Sequence, residues 1–323
     1  MSGTVASEDR TLNLEPLRSI FGERVQPGVA LARYTSARIG GPADAFLEVR
    51  SADELARAVC LVWQLGLPYL IVGGGSNILV SDAGVRAVVL LNHARRVRFE
   101  AEASPPTVWA ESGANFGLVA RQAAQRGLSG LEWAAGIPGT VGGAVVGNAG
   151  AHDGDMAGNL RVAEILHQEL SDAEVSCVRE EWSVARLGYT YRSSYLKRNP
   201  GEAVVLSAML HLEHNQAEAV QAKLERFQKH RRKTQPPGAS MGSMFKNPPG
   251  DFAGRLIDAA GLKGARVGQA QISPLHGNFF VNLGGARAED VLGLISLARR
   301  HVKEQFGVEL ELEIELVGEW QGA

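Results

Sequence analysis

The sequence predicts a mixed α/β or α+β protein, on three observations. Strand-like and helix-like stretches alternate from Phe46 onward, an apolar alternation runs through Leu206–Leu212, and the chain closes on VELELEIELV, in which Leu310, Leu312, Ile314 and Leu316 alternate with Glu309, Glu311, Glu313 and Glu315. Period two marks strands and spacing near 3.6 marks helices.

In order, FLEV (46–49) reads as a strand. Ser51 stands at an N-cap position with Asp53 and Glu54 behind it, and Leu55, Ala58, Val59 and Val62 form a helical stripe that Gly66 and Pro68 end. YLIV (69–72), ILV (78–80) and VVLL (88–91) complete a small α/β unit. Pro105-Pro106 marks a break, and a helix is predicted over Phe116–Gln125, closed by Gly127. Leu206, Ala208, Leu210 and Leu212 are expected on one face of a half-buried strand, with Ser207, Met209, His211 and Glu213 on the other. A helix with a basic end covers 217–233, a short one 252–260, a strand 279–283, and a helix 289–306 with Gly307 just beyond it. A boundary is expected near 214–216, and residues 1 to about 12 read as a disordered tail.

Composition narrows the function. With 33 Lys+Arg against 35 Asp+Glu, the near-neutral chain lacks the basic excess of a nucleic-acid binder. Cys60 and Cys177 are too few for a disulfide framework or a four-thiolate zinc site, and no metal site is expected. No apolar run reaches the roughly 18 residues of a membrane span, and the acidic start is no secretory signal, so a cytoplasmic location is expected. The outlier is glycine: 38 of 323 residues, where about 7% is usual. That excess points to tight turns or to backbone brought close to a ligand.

Five segments carry candidate chemistry. Gly73-Gly74-Gly75-Ser76-Asn77 follows a strand directly, and its N–H groups could cradle a diphosphate or simply make a tight turn; without a following Lys-Ser/Thr it is no P-loop. Gly136-Ile137-Pro138-Gly139-Thr140-Val141-Gly142-Gly143, followed by Gly147 and Asn148, offers a surface bare of side chains to a flat ligand or a pyrophosphate, or is an irregular structural loop. Two cradles suggest a dinucleotide cofactor on a scaffold other than the Rossmann fold. Tyr189–Tyr195 sets Arg192 among tyrosines and serines, suited to a planar anion or to an ordinary surface ion pair. Gly242-Ser243-Met244-Phe245-Lys246-Asn247 confines a hydroxyl between polar arms but is no nucleophile elbow. Glu313, from pattern alone, is one of four glutamates on a solvated edge.

Taken together, YTSARIGGPA, VGGGSNILV, GLEWAAGIPGTVGGAVVGNAGA, YTYRSSYLK, GSMFKNPPGDFAGRLIDAAGLKG, ISPLHGNFFVN and FGVELELEIELVG resemble the UDP-N-acetylenolpyruvoylglucosamine reductase family, flavoenzymes of bacterial peptidoglycan precursor synthesis. The resemblance spans about Ala32 to Gly318 and implies an α+β fold: a two-lobed FAD-binding domain of the vanillyl-alcohol-oxidase (PCMH) type plus a C-terminal α+β substrate-binding domain. It divides the chain into an extension (1–28), lobe 1 (29–94), lobe 2 (95–215) and a substrate domain (216–323) whose last strand returns to the FAD body. It implies FAD and NADPH as cofactors and UDP-N-acetylglucosamine enolpyruvate as substrate, in a monomer that binds neither nucleic acid nor membrane.

Carried over by motif, Ser243 is the general acid, Arg192 the catalytic arginine and Glu313 the catalytic glutamate, with Glu311 its nearest rival. Gly73, Gly74, Gly75, Ser76, Asn77, Ile78, Gly136, Ile137, Pro138, Gly139, Gly142, Gly143 and Asn148 would hold FAD. Tyr191, Lys233, Lys246 and Asn247 would bind substrate. About fifty residues between Arg192 and Ser243 leave no room for the extra loop of the family's longer form. Where many relatives carry lysine before Gln-Pro this chain has Thr234, so the phosphate contact passes to Lys233, Arg232 or Lys246.

Overall fold

The computed structural model describes residues 12–171 and 174–320. The expected N-terminal tail lies almost wholly outside them. Helix α1 (Glu15–Phe21), which no periodicity announces, buries Leu17 and Phe21 in the core of the first lobe. That lobe contains β1 (Pro42–Val49), α2 (Ala52–Gln64), β2 (Tyr69–Val72), β3 (Ile78–Val80) and β4 (Val85–Asn92). Its main sheet runs β1-β4-β2 in parallel, with the two-residue strand Val29–Ala30 antiparallel at the β1 edge, and α2 lies on one face. Helix α2 begins where the sequence requires it: Ser51 Oγ accepts from the Glu54 N–H at 3.1 Å, and Leu55, Ala58, Val59 and Val62 are fully buried. Ser51→Ala is expected to cost about 1 kcal/mol, read as a lower denaturation midpoint.

The second lobe contains β5 (Val97–Glu100), β6 (Thr107–Glu111), α3 (Phe116–Gln125), α4 (Val141–Gly147), β7 (Leu160–Ser171), β8 (Glu174–Trp182) and β9 (Ala203–His211). Its antiparallel sheet runs β8-β7-β9-β6-β5. Helix α3 has the predicted bounds, capped by Asn115 Oδ1, which accepts from the Leu118 N–H at 2.9 Å. The alternation in β9 departs from expectation. Leu206, Ala208, Leu210 and Leu212 are all buried, but Leu206 belongs to the core around α2 and the other three to the core around α3 and α4. The cause is a register shift, with Ser207 opposite Glu164 but Val205 opposite Ile165; the extra residue redirects the strand's faces. Ser207 is buried too, its hydroxyl donating to Glu164 at 2.9 Å and accepting from Trp109 Nε1 at 3.1 Å.

Helix α2 ties the lobes together. Its core takes in Leu166, Val204 and Leu206 from the second sheet. At its N-terminus the fully buried Glu111 accepts from the N–H groups of Ala52 (3.0 Å) and Arg96 (2.8 Å). Two cysteines make no framework, yet they are joined: Cys60 of α2 and Cys177 of β8 form a disulfide across the lobe boundary, Cα–Cα 5.9 Å.

The remainder comprises α5 (Ala217–Thr234), β10 (Ala239–Ser243), α6 (Ala253–Ala259), β11 (Arg266–Val267), β12 (Ala270–Ile272), β13 (Phe279–Asn282), α7 (Ala288–Phe306) and β14 (Glu315–Val317). Helix α5 packs on the second lobe through Val220 and Leu224. Strands β10-β13-β12-β11 form an antiparallel sheet covered by α7, which Gly307 ends in the left-handed conformation (φ 69°). Ala37, Ile39 and Leu79 from the first lobe complete this third core.

The closing segment is the main correction to the sequence pattern. Only Glu315–Val317 is a strand, pairing parallel with β3. Residues 308–314 run outside any sheet, touching the loop after β10 through a bridge between Leu312 and Phe245. Leu310 and Ile314 are buried as expected, while Leu316 is exposed.

Candidate functional site

The two glycine loops converge. The first (73–77) leaves β2 and the second (136–140) leads into α4. A Cβ on Gly74 would lie 2.9 Å from the Gly139 Cα, so the two backbones meet without side chains between them. Gly75 has φ 56°, and a Cβ there would strike the Tyr34 carbonyl oxygen at 2.2 Å. Ser76 Oγ donates to the Pro138 carbonyl at 3.3 Å. Part of the glycine requirement is thus met by the loops' mutual approach. Thr140 caps α4, its hydroxyl accepting from the Gly143 N–H at 3.4 Å, with Gly142 in the same first turn. Ile137 is half-buried against the second lobe's core.

Asn77 and Ile78 connect the first loop to the closing segment. Asn77 Nδ2 donates to the Glu313 carbonyl at 3.1 Å, its own carbonyl accepts from the Glu315 N–H at 2.9 Å, and Ile78 lies opposite Glu315. Asn148 caps α4 in the left-handed conformation (φ 44°). Its side chain donates to the Thr190 carbonyl at 3.1 Å and accepts from the Ala157 N–H at 3.1 Å, so it is engaged within the fold.

Arg192 and Glu313, 121 residues apart, form an ion pair with Nε–Oε1 2.9 Å and side-chain exposures of 23% and 18%. Arg192 has φ 56° in a tight turn bridged by Thr190 and Ser193, and its Nη2 donates to the Gly150 carbonyl at 2.8 Å. The Glu313 N–H donates to the Met244 carbonyl at 2.9 Å. Ser243, the last residue of β10, therefore sits one residue from the segment that presents Glu313. Gly242 beside it has φ 79° and faces the Ser76 carbonyl. Burial pushes the Glu313 carboxyl above its ordinary range, against the opposing pull of Arg192 and, more weakly, Lys197 and Lys246.

Glu311, the same pattern two residues earlier, is exposed and paired with Lys246 instead. Asn247 Oδ1 accepts from the Ala253 N–H at 3.1 Å at the start of α6. Tyr191 is 53% exposed under the Arg192 guanidinium, 5.2 Å from its ring centre. Lys233 lies apart from these, on the last turn of α5, at a cleft shared with the turn at 275–276.

Sequence reasoning missed Lys197, whose Nζ is 3.5 Å from the Glu313 carbonyl and 3.6 Å from Glu315 Oε1; its place in the same YRSSYLK stretch as Arg192 was the available signal. It also missed Arg231, whose side chain lies across Gly136, 2.4 Å from where a Cβ would stand. Burial alone lowers the Arg231 pKa, with no carboxylate acting on it. Tyr189 buries a hydroxyl with no hydrogen-bond partner among the described residues, and burial raises its pKa. Apposed glycine backbones, an orphaned phenol and an uncompensated guanidinium fit a large, polar, anionic cofactor better than a closed protein core.

Comparison with known proteins matches residues 43–172 to an FAD binding domain family and residues 233–317 to the UDP-N-acetylenolpyruvoylglucosamine reductase C-terminal domain family. The chain is 43% identical over 296 residues to the UDP-N-acetylenolpyruvoylglucosamine reductase of Chloroflexus aggregans, covering 91% of this chain and 97% of that one. It is 47% identical over 291 residues to that of Rubrobacter xylanophilus, covering 90% and 94%. The crystal structure of the Thermus caldophilus enzyme of that name superposes with a TM-score of 0.75 at 40% identity, covering 91% of this chain and 99% of that one.

Proposed function

Because the chain belongs to the UDP-N-acetylenolpyruvoylglucosamine reductase family, we propose that it reduces UDP-N-acetylglucosamine enolpyruvate to UDP-N-acetylmuramate, with FAD resident and NADPH as reductant. The observation that carries this reading is the half-buried Arg192–Glu313 pair held beside the Ser243 loop. When bound, FAD supplies a two-electron relay from NADPH to the enolpyruvyl double bond. The loops at 73–78 and 136–143, with Asn148, are the residues proposed to hold it.

The chain's own part is electrostatic and protonic. Hydride arriving at C3 drives negative charge toward the substrate carboxylate. Arg192, already oriented by Glu313 and the Gly150 carbonyl, meets that charge without reorganising. Glu313, its carboxyl held above the ordinary range, orients or protonates the carboxylate. The Ser243 hydroxyl delivers the proton to C2, completing the saturated ether. Tyr191, Lys246 and Asn247 are proposed as substrate contacts, together with Lys233, the cation adjacent to Thr234 in the sequence. No helix among the described residues is long and apolar enough to cross a membrane.

The purified protein should be yellow and lose its colour with NADPH under anaerobic conditions. UDP-N-acetylglucosamine enolpyruvate should restore it rapidly, where other oxidants do not; absence of bleaching contradicts the assignment. Gly75→Ala should yield protein with markedly lower flavin content, read as the ratio of visible to ultraviolet absorbance. The added methyl meets the Tyr34 carbonyl in a conformation that L side chains rarely adopt.

A further inference from the structure

Strand β10 does not run straight into Ser243. Ser240 lies opposite Val281 and Ser243 opposite Phe279, so a step of three residues on β10 matches a step of two on β13. The extra residue falls at Met241-Gly242, where Gly242 has φ 79°. A bulge of this kind bends the strand and re-aims the side chain that follows it. Past Ser243 regular pairing stops, and a single residue carries it on. Asn278 is 3% exposed. Its Oδ1 accepts from the Phe245 N–H at 2.9 Å, and its Nδ2 donates to the Phe245 carbonyl at 2.8 Å. Its own carbonyl accepts from the Met244 N–H at 2.8 Å. The side-chain amide thus copies the donor and acceptor that a neighbouring strand would present.

Asn278 is itself fixed. Its N–H donates to His276 Nδ1 at 3.1 Å. A Cβ on Gly277 would lie 2.6 Å from the Gly254 carbonyl oxygen, so the turn rests directly on α6. The residues that Asn278 grips also meet the closing segment. The Met244 carbonyl accepts from the Glu313 N–H at 2.9 Å, and the Lys246 N–H donates to the Glu311 carbonyl at 2.8 Å. Between them Phe245 bridges to Leu312. Residues 244–246 are therefore held by Asn278 and by the segment that carries Glu313.

We propose that Asn278 is a positioning residue for the proton transfer. Its amide fixes the backbone just after Ser243 and, through Met244, the spacing between the Ser243 hydroxyl and the Glu313 carboxylate. The inference rests on the reductase reading, in which Ser243 gives its proton to C2. An apolar side chain at 278 would leave the Phe245 N–H and carbonyl buried without partners, a state the loop escapes only by moving. Displacing a catalytic group by about 1 Å costs about 10² in rate.

Asn278→Leu keeps the volume and removes both amide contacts. In flavin-loaded protein, anaerobic bleaching by NADPH should keep the parent rate. Reoxidation by UDP-N-acetylglucosamine enolpyruvate should slow by about 10–10² per bound flavin. Because the loss acts through Ser243, the double variant Asn278→Leu, Ser243→Ala should stay within about twofold of Ser243→Ala alone. Amide hydrogen exchange, which needs no turnover, should quicken in peptides covering 243–247 and 310–314. Asn278→Ala serves the same comparisons should the leucine variant fail to hold flavin.

Faster exchange with reoxidation at the parent rate overturns the proposal, since Asn278 then only supports the fold. A loss that multiplies fully onto that of Ser243→Ala overturns it too, as does unchanged exchange in the loop. If the parent protein is not bleached by NADPH, or not reoxidised by the substrate, the reductase reading falls and takes the inference with it. A normal parent beside an unaffected variant sinks the inference alone.

Discussion

Ser243→Ala should leave anaerobic bleaching by NADPH at the parent rate and slow the return of colour on adding UDP-N-acetylglucosamine enolpyruvate by about 10²–10⁴, the usual worth of a positioned general acid. The split follows from placement. Ser243 ends β10, where its neighbour Met244 is bound to Glu313 and the preceding Gly242 turns toward the first glycine loop. Deleting one oxygen there disturbs neither backbone contact. Rapid-mixing spectroscopy resolves the two half-reactions. Normal reoxidation in the variant would remove Ser243 from the chemistry, and failure of reduction would mean that the change acts on cofactor binding instead.

Arg192→Met should slow the same reoxidation step by about 10²–10³, the typical loss on removing one preorganised donor from developing negative charge. Methionine keeps the length and apolar volume of the stem but not the fork that now reaches both Glu313 and the Gly150 carbonyl. The change also releases Glu313 from the main influence opposing its burial. Its carboxyl should therefore titrate at still higher pH, and the pH profile of reoxidation should move upward with it. An unchanged profile with a lowered rate would mean that Arg192 acts on the substrate without acting through Glu313. Retention of flavin in the variant distinguishes either outcome from simple unfolding.

Lys197 fits the same logic. Its ammonium lies beside the Glu313 carbonyl and Glu315, steadying the segment that presents the carboxylate and lending weak cationic support to its ionised form. With Asn77 on the same carbonyl, the closing segment is gripped from both lobes of the flavin domain. The four glutamates of VELELEIELV are thus not equivalent. One is drawn inward by a guanidinium, while Glu309, Glu311 and Glu315 pair with lysines nearer the surface.

Much of the fold could be read from the chain because the signals are local. A cap three residues from its donor, a stripe at helical spacing and a glycine just past a last turn place α2, α3, α5 and α7 to within a residue or two. Helix α1 escaped because its seven residues are too few for a period to show and its anchorage is a core built from distant strands. The redirected face of β9 escaped because a register shift is agreed between two strands and written in neither alone.

The site divides along the same line. Residue types and motif order announced two glycine loops, an arginine among tyrosines, a confined serine and a row of acids. Motif order already favoured Glu313 over Glu311, but only folding could set Glu313 against Arg192, bring the two loops backbone to backbone, join Cys60 to Cys177 and wall a cleft with histidines. Those outcomes depend on which groups far apart along the chain share a low-dielectric space. Propensities and spacings act over a few residues, whereas burial and charge pairing act over a few ångströms between segments a hundred residues apart.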